Sequence, residues 1–226
     1  MQRPCLSQRR MLLIFVVLAM SWTSFSGYAE TINGIVAVVN DEIITLVDVR
    51  IIQAFNLYDI KNDTSPASSL GLILDGLIDQ KLVIQLTSEN ISVAQQEINS
   101  HIQDIASDTG EERLKLLRRD FGLSGEDLRG YVRELLLYRK IISQKFARSV
   151  FVNLKEIQAY YDQVYILQLK KEGIEPKPMV DVLGQIEAAI KQRKVQKQVE
   201  EWLRNLRQKA DIQLYVDLYP DFFPRK

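Results

Sequence analysis

His101 is the single histidine of this 226-residue sequence, and the one side chain whose ordinary pKa lies near neutrality. On a helix, its neighbours four residues back and three ahead are Glu97 and Asp104. A surface ion pair or a partly buried imidazole accounts for that pattern, because catalysis needs a nucleophile or second base that the spacing does not supply. No second histidine, glycine-rich phosphate loop or G-x-S-x-G elbow occurs. The only cysteine, Cys5, stands in the first residues, so thiol catalysis and cysteine-held metals are excluded from the remaining chain. The sequence therefore implies no catalytic residue, no metal site, no cofactor and no enzyme.

Binding chemistry is better represented. Tyr160, Tyr161 and Tyr165 stand at i, i+1 and i+5. At about 100° per residue a helix does not point all three the same way, so at least one is expected to reach solvent or a groove. A tyrosine offers a large apolar face and a polar tip, which suits variable unfolded segments. The alternative is that the rings pack the core. Phe222 and Phe223 lie between Pro220 and Pro224, either as a docked arm or as an unfolded end that a partner binds. These five aromatic residues are the candidate peptide-binding positions. The run KQRKVQK, 191–197, reads as the solvated face of a helix, with an anionic partner as the alternative.

Composition bounds the class of protein. Hydrophobic residues make up 46% and charged residues 26%, as in a globular domain with a true core. The 29 basic residues include Arg3, Arg9 and Arg10, and no acid precedes Glu30, so beyond residue 29 there are 26 bases against 29 acids. That balance excludes a dedicated nucleic-acid surface. Residues 1–29 read as a secretory signal: a basic start, the ten-residue apolar stretch MLLIFVVLAM, and a small-x-small site ending at Ala29. An uncleaved anchor is the alternative. After cleavage no stable membrane insertion is expected.

The elements that would position these residues are mostly helical. IVAVV and the residues after Asn40-Asp41 predict a hairpin, 35–39 and 42–44. Two strands are marginal alone, and DIQLYV, 211–216, alternates as a third strand would. The two ends of the core are thus expected to meet in one small antiparallel sheet. Four T/S/N-x-x-D/E/Q pairs predict capping boxes: Thr45/Asp48, Ser92/Gln95, Ser124/Asp127 and Asn153/Glu156. The expected helices run over about 45–58, 69–89, 92–107, 111–121 and 124–149, with one more from 153. Leu70, Ile73, Leu74, Leu77, Ile78 and Leu82 share one face of the second. The helix over 124–149 is apolar round more than half its circumference and must be covered on two sides. A final helix, about 180–209 and roughly 45 Å long, changes its apolar face. Met179, Leu183, Ile186 and Ile190 lie nearly opposite Val195, Val199, Trp202, Leu206 and Ala210, as in a strut between two packing partners. A kink at Arg193-Lys194 is the alternative.

Five stretches in this order resemble the chaperone core of the SurA family of periplasmic folding factors: VAVVNDEIITLVDV, ILDGLIDQKLVIQLTSENISV, LRGYVRELLLYRKIISQ, VNLKEIQAYYD and VEEWLRNLRQKADIQL. The resemblance implies a mainly α fold, a multi-helix chaperone core carrying the small sheet. It spans 30–216 as one unit, with an N-terminal part 30–172, a long helix and strand over 178–216, and a tail at 217–226. It implies a periplasmic, ATP-independent holdase whose clients are unfolded polypeptides, outer-membrane proteins among them. The sequence departs from the family in one respect. Where parvulin-type prolyl isomerase domains usually follow the stretch like VNLKEIQAYYD, only QVYILQLKKEGIEPKPM separates it from the final helix. No isomerase domain fits there, so no isomerase activity is expected. The alternative function is a scaffold subunit of a cell-envelope complex, binding one partner or forming a homodimer by strand exchange.

Overall fold

The computed structural model describes residues 34–58, 66–86, 91–146 and 150–223. The expected signal segment, and the helix ends expected at 89 and 149, lie outside these residues. Within them the order is β1 (Ile35–Val39), β2 (Glu42–Thr45), α1 (Leu46–Ala54), α2 (Pro66–Gln85), α3 (Gln95–Thr109), α4 (Glu111–Asp120) and α5 (Gly125–Phe146). There follow α6 (Leu154–Tyr160), a π-helical turn (Tyr161–Tyr165), α7 (Ile166–Lys171), α8 (Met179–Lys209), β3 (Ile212–Leu214) and a 3-10 turn (Val216–Leu218).

The ends of the core do meet. The sheet order is β2-β1-β3, with β1 antiparallel to both neighbours. Asn40 holds the junction. Its φ of 53° makes the hairpin turn, a left-handed conformation that asparagine tolerates better than most residues. Its backbone N–H donates to the Asp211 carbonyl at 2.7 Å, its Oδ1 accepts from the Asp211 N–H at 3.1 Å, and its Nδ2 donates to Gln85 of α2 at 2.7 Å. One residue of the turn thus ties β1 to the residue before β3 and the sheet to α2.

Three of the four capping boxes form. Thr45/Asp48, Ser124/Asp127 and Asn153/Glu156 each exchange two bonds between 2.7 and 3.2 Å. The Ser92/Gln95 box does not: α3 starts at Gln95 behind Ala94, whose extended backbone brings no side-chain cap. The Ser92 carbonyl accepts from Lys140 Nζ of α5 at 2.9 Å, which ties the extended stretch ahead of α3 to that helix. Helix α1 also stops earlier than 58. Asn56, at φ 48°, closes it with bonds from Asn56 N–H to Gln53 O and from Leu57 N–H to Ile52 O, the Schellman pattern.

The main core lies between the sheet and α1, α2, α3 and α5. All six residues of the expected α2 stripe are buried in it, as are Leu128, Val132 and Leu135 of α5. Helix α5 packs against α2, α3 and α8, the several-sided cover its sequence demands. A second, smaller cluster gathers Ile157 of α6 with Val182, Ile186 and Ile190 of α8. Helix α8 runs unbroken through 31 residues, about 46 Å, and joins the two clusters. Its first half faces the small cluster; Leu206 and Ala210 face the large one. Val182, which the periodicity leaves off the face, lies deeper than Met179 and Leu183, which it places on it. Between the clusters Trp202 meets Phe146 edge-on at 5.6 Å, with Lys145 Nζ 4.9 Å from the Trp202 ring centre.

One guanidinium pins the far end of α8. Arg207 donates to Asp79 Oδ1 at 2.6 Å, to Asp75 Oδ1 at 3.1 Å and to the Asp75 carbonyl at 2.8 Å, all on α2. Charge-assisted, multidentate bonds of this kind are worth about 1.5–3 kcal/mol. Arg207→Met keeps the apolar stem and removes the fork. It is expected to lower unfolding free energy by about 2 kcal/mol in a urea titration.

The polar layer between the sheet, α2 and α5 sets an alkaline limit. Burial pushes the Tyr58 hydroxyl above its usual range, helped by the nearby Tyr138, Glu134 and Asp79. Burial and the bond to Asp48 do the same for Tyr131. Burial opposes the charge on Lys81, but Glu42 and Glu134 outweigh it and raise its pKa. Each raised pKa stabilises the fold fully below the unfolded value, about 10 for tyrosine and lysine, and that contribution is lost as pH rises through the folded value. Thermal stability is therefore expected to fall steeply above about pH 10, and less steeply in Tyr58→Phe.

Candidate functional site

His101 lies on α3 beside a 780 Å³ surface cavity that Arg139, Asp104 and the end of α1 also line. Partial burial lowers its pKa, and the Arg139 charge lowers it further, so the ring is neutral at pH 7. Glu97, an expected partner, pairs with Lys140 instead at 3.4 Å. Among the described residues no cluster of three or more histidine, cysteine or acidic side chains is arranged to hold a metal ion.

The three tyrosines end up together, against the helical argument that separated them. The Ile166 N–H bonds to the Tyr161 carbonyl, five residues back. Such a turn is wider than an α turn, so each residue advances by less than 100°. Tyr160, Tyr161 and Tyr165 all pack, half-buried, on the small cluster. Tyr161 and Tyr165 stack with ring centres 5.5 Å apart at 21°, and the Tyr161 hydroxyl donates to the Lys177 carbonyl at 2.9 Å. The Arg193 guanidinium lies 5.3 Å from the Tyr160 ring centre, and Lys194 reaches both Glu156 (2.5 Å) and the Phe151 carbonyl (2.9 Å). The basic run is thus not wholly a solvated face: two of its residues fasten α6 to α8.

Phe222 and Phe223 belong to the other cluster. Both pack half-buried on the main core, where a turn brings their N–H groups to the Tyr219 carbonyl at 3.0 Å. Arg50 lies 5.6 Å from the centre of the Phe222 ring. Tyr219 sits against the bare backbone of Gly34: a Cβ there would fall 1.7 Å from its hydroxyl oxygen. The arm is docked through Phe223, and the five candidate aromatics form two separate groups rather than one site.

Sequence reasoning missed a group of exposed apolar side chains between residues 151 and 180. Phe151 is 87% exposed, Val180 80% and Leu154 64%, with Leu167 and Ile174 also open. Phe151, Leu154 and Val180 come from segments that build the small cluster, and Leu167 and Ile174 from the chain between them. They carry no periodic signal, because each stands at an element end or outside its apolar stripe. A second feature is a 440 Å³ groove between β2 and α5, floored by Leu77 and Lys81 of α2. Ile43 and Ile44 line one wall; Glu126, Asp127, Gly130, Arg133 and Glu134 line the other. Tyr131 donates to Asp48 within it at 2.5 Å.

No family model matches the chain. It is 28% identical over 156 residues to the chaperone SurA of Chromohalobacter salexigens, a match that covers 66% of this chain and 36% of that protein. The chain thus spans about a third of the curated relative it matches. A chain from the structural description of PEB4 and Cj1289, two SurA-like chaperones of Campylobacter jejuni, aligns over 80% of this chain and 99% of its own length, at 14% identity and a TM-score of 0.44. The protein resembles SurA in sequence, as the five stretches imply.

Proposed function

We propose that the protein is an ATP-independent periplasmic chaperone that holds unfolded polypeptides, outer-membrane proteins among them, and has no prolyl isomerase activity. The observation that carries this reading is the set of exposed apolar side chains between residues 151 and 180. Phe151, Leu154, Leu167, Ile174 and Val180 are all exposed, and they fall within the stretch 151–182 that also supplies Ile157 and Val182 of the small core. Concentrated apolar exposure of this kind marks a binding surface. The half-buried tyrosines of the same region add amphipathic area that accommodates different sequences. The similarity to a protein named as a chaperone supports the same reading. Between Tyr161 and Met179 the chain forms the π turn, α7 and an extended stretch, with no strand and no histidine. No helix among the described residues is long and apolar enough to cross a membrane.

The test is light scattering from an aggregating client. Stoichiometric protein should suppress the signal, and Phe151→Ser combined with Val180→Ser should weaken suppression severalfold at unchanged stability. A client that aggregates as fast with the protein as without it would falsify the reading. In a protease-coupled assay on a proline peptide, only the uncatalysed rate is expected.

A scaffold reading rests on a different observation. β3 pairs with β1 alone, through three residue pairs, and presents Leu214 to solvent. Exchange of β3 between two copies would build a homodimer without new contacts. A dimeric mass, with one stoichiometric partner recovered in place of many clients, would favour it.

A further inference from the structure

We propose that the groove between β2 and α5 is a docking site for an extended, cationic polypeptide segment, which adds to the sheet as a fourth strand beside β2. This rests on the chaperone reading and assigns it a second, chemically selective binding mode, distinct from the exposed apolar side chains of 151–180.

The first argument is an edge with no neighbouring strand among the described residues. β2 is the outer strand of the β2-β1-β3 sheet. In an antiparallel ladder, backbone groups point alternately to one side and the other. Asn40 donates to Asp211, and the Val36 carbonyl accepts from Tyr215 N–H at 2.9 Å, so Val36 and Asn40 face β3. Val38, midway between them and paired with Gln213, faces β3 as well. Its opposite number in β2 is Ile43. The N–H and C=O of Ile43 therefore turn away from β1, toward the outer edge. Its side chain is 53% exposed. An added strand would find one donor and one acceptor at the spacing that β-augmentation uses.

The second argument is the shape of the groove. Ile43 and Ile44 form one wall, Leu77 lies on the floor, and α5 forms the opposite wall. Gly130 in the second turn of α5 lines it, and a Cβ added there would meet nothing within 4 Å. The helix thus leaves room for an incoming chain.

The third argument is charge. Four carboxylates line the groove: Asp48, Glu126, Asp127 and Glu134. Arg133 neutralises Glu126 at 3.0 Å, and Lys81 neutralises Glu134 at 3.2 Å. Asp48 and Asp127 have only hydrogen-bond donors: the Thr45 cap and Tyr131 for the first, the Ser124 cap for the second. The groove carries an excess of two negative charges, so lysine or arginine alternating with apolar residues complements it.

The test uses a short fluorescent peptide that alternates valine with lysine, and its glutamate counterpart. Anisotropy should show the lysine peptide binding at least tenfold more tightly, with the difference shrinking at high salt. Hydrogen exchange should show new protection at the Ile43 amide. Ile43→Pro removes the outward N–H without breaking a bond to β1, and proline is tolerated on edge strands. Gly130→Leu fills the groove while improving helix propensity. Each should reduce lysine-peptide affinity at least tenfold, and Gly130→Leu alone decides if the proline variant misfolds. Equal binding of both peptides, no binding, or binding without Ile43 protection overturns the proposal. If the wild-type protein still suppresses client aggregation in that case, the chaperone reading stands. Loss of that activity as well would remove both.

Discussion

A chain ending at Ala210 loses about 5 kcal/mol of unfolding free energy relative to one that continues to Phe223. The removed residues supply all of β3 and five half-buried side chains on the main core: Ile212, Val216, Tyr219, Phe222 and Phe223. Full burial of a large apolar side chain is worth about 1.5–3 kcal/mol, so half-burial contributes about 1 kcal/mol each. Their loss uncovers part of a core in which Val36, Ala37 and Val39 of β1 are completely buried. Domains of this size have about 5–15 kcal/mol in all. The shortened chain should therefore be marginally folded at best. Chemical denaturation followed by circular dichroism measures the difference; a loss below about 1 kcal/mol would mean that the closing strand is ornamental.

Phe55→Ala is expected to cost about 4 kcal/mol, within the range for truncating a buried aromatic residue. Phe55 is 2% exposed, caps α1, and lies with its ring 6.4 Å from that of Phe121 at the end of α4. Truncation opens a cavity where two helix ends meet, and the Schellman turn at Asn56 limits how far the backbone can collapse into it. Phe151→Ala supplies the contrast. At 87% exposure, its stability effect should stay within about 0.5 kcal/mol, while client binding weakens. Two phenylalanines of one chain thereby separate core from function: denaturant midpoints read the first, aggregation kinetics the second. Equal destabilisation by both would remove Phe151 from the binding surface.

Much of the fold could be read because its signals are local. Thr45/Asp48 and Asn153/Glu156 cap their own helices, and Leu70 through Leu82 repeat at the helical period. The opposed faces of α8 follow from counting. The pairing of β3 with β1 followed from a requirement: a lone hairpin needs a third strand, and one other segment alternated suitably. Local signals failed elsewhere. The Ser92/Gln95 box gives way to a start behind Ala94, and Lys194 turns a solvated run into a clasp on Glu156 and Phe151. Arg207, with Asp75 and Asp79, lies more than a hundred residues from its partners in sequence, and no spacing rule joins them.

The sites divide along the same line. From sequence, Tyr160, Tyr161 and Tyr165 were a binding group that an α-helix would have splayed, and Phe222 and Phe223 were either an arm or a free end. Only the folded chain showed the π turn that gathers the tyrosines and the docking that sends the phenylalanines to the other cluster. The groove of Ile43, Leu77 and Gly130 had no sequence signature, since each residue is ordinary in its own element. Sequence by itself determined which segments are helix and strand and which faces are apolar, because neighbours within about four residues set dihedral angles, caps and periodicity. Tertiary structure decided which polar groups meet, which strand edge stays open and which apolar side chains remain uncovered, because those depend on how separate elements share a limited amount of buried surface.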